Sequence, residues 1–248
     1  MSGPSVKGLS FQSARVTYGR KTAVSLGAHS FPAGQVTALL GANGSGKSSL
    51  MRALIKAGPG EVEGLQIGAD AARSLSRMEH ARRIAFLAQD RIGPGLATVR
   101  DVLALGRHPY GGADGSDRIE AVARRLALRG LMDARFGTLS GGQQARVLLG
   151  RALAVDAPVL LADEPTASLD PAFALKIMAE LRAEAEAGRT VLVSCHDLPL
   201  ARRYCDRALV LKNGEAVAHG PIREALSATV LSSAFGLRDG PRGFEVVT

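Results

Sequence analysis

The chain has 248 residues, 46% hydrophobic and 22% charged, with 31 Lys and Arg against 23 Asp and Glu for a formal net charge of +8. That is ample chain for one large domain with its own core, and no uninterrupted run of about 18 apolar residues is present to span a bilayer. Met1 to Lys7 lack the apolar core of a signal peptide, and Cys195 and Cys205 form neither a zinc pattern nor a disulfide framework, so a cytosolic protein with buried or indifferent thiols is expected. The basic residues are scattered in pairs such as Arg82-Arg83, Arg124-Arg125 and Arg202-Arg203. Without aromatic interleaving or a continuous basic tract they read as solvated helix faces, and no nucleic-acid partner is expected.

In chain order, Lys7 to Tyr18 and Thr22 to Phe31 read as two strands, followed by a turn at Pro32-Ala33-Gly34 and the short β-prone run Gln35 to Leu40. Gly41-Ala42-Asn43-Gly44-Ser45-Gly46-Lys47-Ser48 comes next, and Ser49 to Ile55 has apolar residues at helical spacing. The Gly-rich segment therefore joins a strand to a helix N-terminus, which makes a phosphate cradle. Glycines let successive N–H groups turn inward, the helix dipole adds attraction, Lys47 supplies a point charge for the β and γ phosphates, and Ser48 offers a hydroxyl ligand to Mg2+.

Glu61 to Ala69 reads as a strand after the Gly58-Pro59-Gly60 turn, and Ile84 to Ala88 as a short apolar strand ending at Gln89, with Gly93-Pro94-Gly95 in the loop beyond. From Thr98 a capped helix runs until Pro109, then comes the turn-rich Gly111 to Gly115. A second capping-box-like start at Asp117-Arg118-Ile119-Glu120 opens a helix reaching Arg129. Residues 98–139 are thus expected to be an α-helical subdomain set into a single α/β domain spanning 1–248.

Leu139-Ser140-Gly141-Gly142-Gln143 places small residues just before a helix, Gln144 to Val155. Pro158 to Ala162 is then a buried-strand run ending in two adjacent carboxylates, Asp163 and Glu164. Strand C-termini in open α/β sheets are where ligands bind, so Asp163 can reach a phosphate-bridging Mg2+ while Glu164 faces an attacking water. A pair of N-cap acids is the plain alternative, but Asp170 already occupies the cap of the helix expected from Pro171 to Ala187. The strand Thr190 to Cys195 ends at His196, where an imidazole can hydrogen-bond a γ-phosphate. A hairpin at Lys212-Asn213-Gly214-Glu215 and a short helical tail complete the chain.

The ordered set of motifs resembles the nucleotide-binding subunit of ATP-binding cassette (ABC) transporters over nearly the full length. It comprises the phosphate loop Gly41 to Ser48, the Q-loop Gln89, the signature Leu139 to Gln143, the Walker B acids Asp163 and Glu164, the D-loop Ser168-Leu169-Asp170 and the switch His196. The resemblance implies an α/β P-loop NTPase of the ABC type, with a mostly parallel core sheet, an antiparallel β subdomain and the inserted helical subdomain. It implies ATP and Mg2+ as cofactors. Tyr18 would stack on adenine. Gly41, Ala42, Asn43, Gly44, Ser45, Gly46, Lys47, Ser48 and Ser49 would hold the phosphates, and Ser140, Gly141, Gly142, Gln143 and Asp170 are also assigned to the nucleotide. Ser48, Gln89 and Asp163 would serve the metal, and Glu164 and His196 catalysis. It further implies a head-to-tail homodimer, in which one chain's phosphate loop and the other's signature sandwich each ATP. Two residues depart from the family pattern: Ala145, where a polar helix-surface residue is usual, and Ala162, where Leu is commoner.

Val102 to Tyr110, with its Gly-Arg-x-Pro-Tyr form, looks like the stretch in ATPases of iron-siderophore, haem and vitamin B12 importers and leans to siderophores. With the tail ending at Thr248, a sugar-importer regulatory domain is not expected. The implied partners are transmembrane permease subunits and a periplasmic or surface substrate-binding protein, and the implied location is peripheral, on the cytoplasmic face of the plasma membrane. An exporter motor and a soluble cassette protein of repair or translation remain alternatives, the latter disfavoured by a lone cassette without a coiled coil.

Overall fold

The structure, a computed structural model, describes residues 8–90, 94–111, 115–240 and 243–247. Met1 to Lys7, Gly93, Gly112 to Asp114 and Thr248 of the sequence reading lie outside the described residues.

A six-stranded sheet organises the chain, in the order Glu215–Pro221, Arg207–Lys212, Val36–Leu40, Thr190–Ser194, Val159–Ala162 and Ile84–Leu87. Every neighbouring pair is parallel except the first. Three of the central strands are buried along their whole length, as near-continuous apolar runs covered on both faces must be. Their side chains divide between two hydrophobic clusters: Val36, Ala38 and Leu40 join one, Leu39 and Leu192 the other. Parallel register brings the strand C-termini to one edge, so Gly41, Gln89, Asp163 and His196 all emerge together.

The opening of the chain is more divided than its alternation suggests. Lys7 to Tyr18 is broken at Gln12 into Gly8–Phe11 and Ser13–Tyr18, and Thr22 to Phe31 is broken into Lys21–Leu26 and His29–Pro32. The halves pair in different antiparallel sheets, one of four strands and one of three. Glu61 to Ala69 likewise splits into Gly60–Glu63 and Gln66–Ile67, with Asp70–Ala71 following. Gly64 and Gly68 stand between these pieces at φ 61 and 64, left-handed turns that a period-two pattern does not register.

The helix Arg77–Arg83 was not expected, although Ser76 and Glu79 close a full capping box at its start. Thr98 and Asp101 do the same for Val99–Ala104, but the helix does not continue as such to Pro109. It tightens into the 3-10 segment Leu105–Tyr110, with Pro109 inside it. The next helix, Ser116–Arg125, starts from Gly115 with no side-chain cap, so the box expected at Asp117 is not formed and Asp117 lies in the first turn instead. Gly141–Ala154 begins earlier than expected because Ser140 caps it, and Asp170 caps Pro171–Glu186. Leu198–Tyr204 is a further helix, and the tail after Ile222–Ala225 is not only helical: it ends in the antiparallel hairpin Leu237–Gly240 and Gly243–Val246. No helix among the described residues is long and apolar enough to cross a membrane.

Two imidazoles join the antiparallel sheet to the core sheet, His29 Nδ1 lying 3.0 Å from His219 Nδ1. Burial, then the proximity of His29 and Arg207, pushes the His219 pKa down to about 4 from 6.5. The unfolded chain therefore takes up a proton below about pH 6.5 that the folded chain refuses until about pH 4. Stability should be fully present above that window and fall as pH drops through it, at up to ~1.4 kcal/mol per pH unit for this proton. Urea unfolding across the window should show a flatter profile for His219→Phe than for the unsubstituted chain.

Candidate nucleotide site

At the sheet's C-terminal edge lies a cleft of ≈ 630 Å³ lined by Asn43, Gly44, Ser45, Gly46, Lys47, Ser48 and Ser49 from the Gly-rich loop and its helix, by Ala23, and by Gln89, Glu164 and His196. The loop's shape is set by glycine. Gly46, at φ 104, caps the helix Lys47–Leu54, and a Cβ there would meet Ala23 O at 2.6 Å. Gly41, at φ 145, lies so close to the next strand that a Cβ would come within 2.3 Å of Leu211 O. The hairpin turn at Asn213-Gly214 braces the loop, Gly214 N donating to Ser45 O at 3.1 Å.

Lys47 is 5% exposed. Its Nζ donates to Gly41 O at 2.9 Å and Ala42 O at 3.1 Å, which uses two of the three N–H bonds of an ammonium. Burial lowers its pKa, and the nearby Glu164 and Asp163 carboxylates oppose that shift. Beside it, the buried Ser45 hydroxyl has no hydrogen-bond partner among the described residues. An unused ammonium N–H, an orphaned hydroxyl and a glycine-shaped loop fit a polyanion such as a phosphate chain.

The two acids are handled differently. Asp163 is 1% exposed, and its Oδ1 accepts from Ser194 Oγ at 2.7 Å. Glu164 takes the left-handed conformation, φ 46, and its N–H donates to the same Ser194 Oγ at 2.7 Å. Gln89 Nε2 donates to Glu164 Oε2 at 2.8 Å, and His196 Nε2 lies 2.5 Å from Glu164 Oε1. Ser48, Asp163 and the Gln89 carbonyl oxygen are hard oxygen donors of the kind a Mg2+ takes.

Ser140, Gly141, Gly142, Gln143 and Asp170 do not line this cleft. Ser140 Oγ accepts from Gln143 N at 3.3 Å, Gln143 Oε1 accepts from Ser140 N at 2.9 Å, and a Cβ on Gly142 would press to within 3.0 Å of the Phe173 ring. Asp170 Oδ1 accepts from Phe173 N at 3.0 Å. Tyr18 stands beside the cleft, 45% exposed, with its hydroxyl 3.5 Å from Ser49 Oγ. Sequence reasoning missed Ser194, whose only signal is a hydroxyl closing a buried, mostly apolar strand, and the bracing role of Gly214. Ala145 is buried rather than on the helix surface, and it lines a small crevice with Gln89 and Glu164. Cys195 and Cys205 are both buried, and burial pushes the Cys195 thiol up to about 11.

A family profile described as ABC transporter matches residues 28–167. The chain belongs to the ABC transporter family. It is 39% identical over 207 residues to the hemin import ATP-binding protein HmuV of Streptomyces coelicolor, covering 82% of this chain and 74% of that one. It is 40% identical over 215 residues to the cobalamin import ATP-binding protein BtuD of Halobacterium salinarum, covering 83% of this chain but 53% of that relative's length. It is 34% identical over 229 residues to the ferric enterobactin transport ATP-binding protein FepC of Escherichia coli, covering 89% and 84%. Among solved structures, a nucleotide-free ATP-binding cassette of an ABC transporter superposes with a TM-score of 0.80 at 25% identity over 91% of this chain and 95% of that one. A dimeric bacterial ABC transporter cassette superposes at 0.75 with 28% identity over 87% and 99%. The cassette is thus an ABC-type ATPase of α/β fold, built on a parallel-rich core sheet with the Lys47 cleft at its C-terminal edge.

Ser194→Ala removes the hydroxyl shared by the cassette's two acids and leaves Asp163 Oδ1 buried without its donor. It should destabilise the fold by about 1–3 kcal/mol in denaturant titrations and lower ATPase turnover, because Glu164 loses the bond that holds its strained backbone.

Proposed function

We propose that this cassette is the ATP-hydrolysing motor of an importer that brings an iron chelate, haem or a cobalamin into the cell through a partner permease. The observation that carries this reading is the kinship over most of the chain with import subunits named for hemin, cobalamin and ferric enterobactin, joined to a cleft at one sheet edge lined by Lys47, Ser48, Gln89, Glu164 and His196. The cassette would work peripherally on the cytoplasmic face of the membrane, with a substrate-binding protein delivering cargo to the permease from outside.

In this reading Lys47 and the N–H groups of Gly41 to Ser49 bind the phosphates, and Tyr18 packs on the base. Ser48, Asp163 and Gln89 would hold Mg2+, which would supply positive charge beside the phosphates. Glu164 takes the proton of the attacking water, and His196 holds the water and the γ-phosphate in line. Ser140 to Gln143, a helix N-terminus standing outside their own chain's cleft, would meet the nucleotide of a second cassette, with Asp170 contributing at that interface. The dimeric solved cassette supports such a pairing.

Glu164→Gln should still bind ATP and lose turnover by on the order of 10²- to 10⁴-fold; hydrolysis at the normal rate would remove Glu164 from its role. For the shared site, specific ATPase activity should rise with protein concentration until the dimer saturates. A mixture of Lys47→Ala and Ser140→Arg chains should occlude about one ATP per mixed dimer, since one of its two sites stays intact. For cargo, cells lacking the cassette should fail to take up a labelled ferric chelate, haem or cobalamin, and undiminished uptake of all three would overturn the importer assignment.

A further inference from the structure

Gly106 to Tyr110, a mark of lineage in the sequence, has a mechanical place in the fold. The helix Gly141–Ala154, which carries the signature at its start, ends against this segment. The last carbonyls of a helix have no partner within it. Here three in succession are taken by side chains of the helical insert. Arg118 Nη2 donates to Leu153 O at 2.9 Å, Arg107 Nη1 to Ala154 O at 3.0 Å, and the Tyr110 hydroxyl to Val155 O at 3.0 Å. Two of these donors are cations at a helix C-terminus, which its dipole favours. Gly106 permits the close approach, since a Cβ there would come within 2.3 Å of Arg151 O and 2.8 Å of the Ala154 methyl.

The segment is gripped from its other side by Arg82. Its Nε donates to Pro109 O at 2.8 Å, and its guanidinium lies 5.0 Å from the Tyr110 ring centre, with Arg107 stacked on the same ring at 3.9 Å. Arg82 belongs to the helix Arg77–Arg83, which runs directly into the strand Ile84–Leu87 and so to Gln89.

We propose that Gly106 to Tyr110 and Arg82 form a latch that fixes the bearing of the signature helix against the strand leading to Gln89. Arg82 and Tyr110 are then positioning residues for ATP hydrolysis, although neither lines the nucleotide cleft. The inference rests on the reading that Ser140 completes the site of a second chain. The helix of 14 residues is about 21 Å long, so a tilt of a few degrees at its latched end moves Ser140 by about 1 Å. A misplacement of that size costs on the order of 10²-fold in rate.

The test uses Arg82→Ala, Arg82→Lys and Tyr110→Phe in the full chain. Arg82 is exposed and Tyr110→Phe keeps the ring, so folding is not at stake. Three quantities are read: affinity for a fluorescent ATP analogue, kcat at saturating ATP and saturating protein, and amide exchange at Val155 and Asp156. Expected are an affinity within about twofold of the unsubstituted cassette, faster exchange at those two amides, and kcat reduced by about tenfold or more, with Arg82→Lys restoring part of it. The double variant should be little worse than either single one, because both open the same latch. Unchanged kcat in Arg82→Ala and Tyr110→Phe overturns the proposal, whether exchange quickens or not. Loss of the shared-site reading shows separately, as activity in the unsubstituted cassette that does not depend on protein concentration.

Discussion

The arrangement turns on one buried ammonium. Lys47 sits in the first turn of a helix, where the dipole is positive, and it is almost wholly removed from solvent. Both facts disfavour its charge, and the chain answers with two backbone carbonyls from its own loop and two carboxylates from another strand. The loop must therefore curl back so that Gly41 and Ala42 offer their carbonyls, which only a Gly-rich segment can do at these dihedral angles. The strand Val159–Ala162 must end level with that loop, which parallel register on either side of Thr190–Ser194 ensures. A phosphate chain entering the cleft meets a cation already oriented, with an N–H in reserve.

Ser194 links this charge balance to the second of the two acids. One hydroxyl donates to Asp163 and accepts from the backbone of Glu164, so it fixes the orientation of one acid and the backbone turn of the next. Glu164 in turn is held by Gln89 and His196 from the two flanking strand ends. Three strand termini are thereby cross-linked through side chains at the one edge where the sheet's backbone ladder has ended.

Much of this was legible in the sequence, for identifiable reasons. The phosphate loop, the acids after an apolar run and the histidine after another are local signals, each read within about ten residues. Parallel strands that are near-continuous apolar runs were also plain. What was not legible depended on pairing. Nothing local in Gln12 says that Gly8–Phe11 and Ser13–Tyr18 belong to different sheets. Pro109 argues for a helix end, yet a 3-10 segment absorbs it because its neighbours are pinned to the carbonyls of another helix. Ser140 and Gln143 read as a ligand motif, and the capping box that occupies both side chains emerged only from their geometry. Ser194 was overlooked because a single hydroxyl in a buried strand gains meaning only from what lies across the sheet.

The adjacency of Asp163 and Glu164 poses a geometric problem that the backbone solves. Successive side chains on a strand point to opposite faces, so two neighbouring acids on a regular extension could not both serve one cleft. The strand stops at Ala162, Asp163 N keeps a last ladder bond to Leu87 O at 2.8 Å, and Glu164 then turns to φ 46. That left-handed turn costs a non-glycine residue on the order of 1–3 kcal/mol. It breaks the alternation and carries the Glu164 carboxylate into the cleft while Asp163 stays buried behind it, both still acting on Lys47. A glycine at this position would relieve the strain but could supply no carboxylate to the cleft, and the Ser194 hydroxyl holds the strained turn from the neighbouring strand.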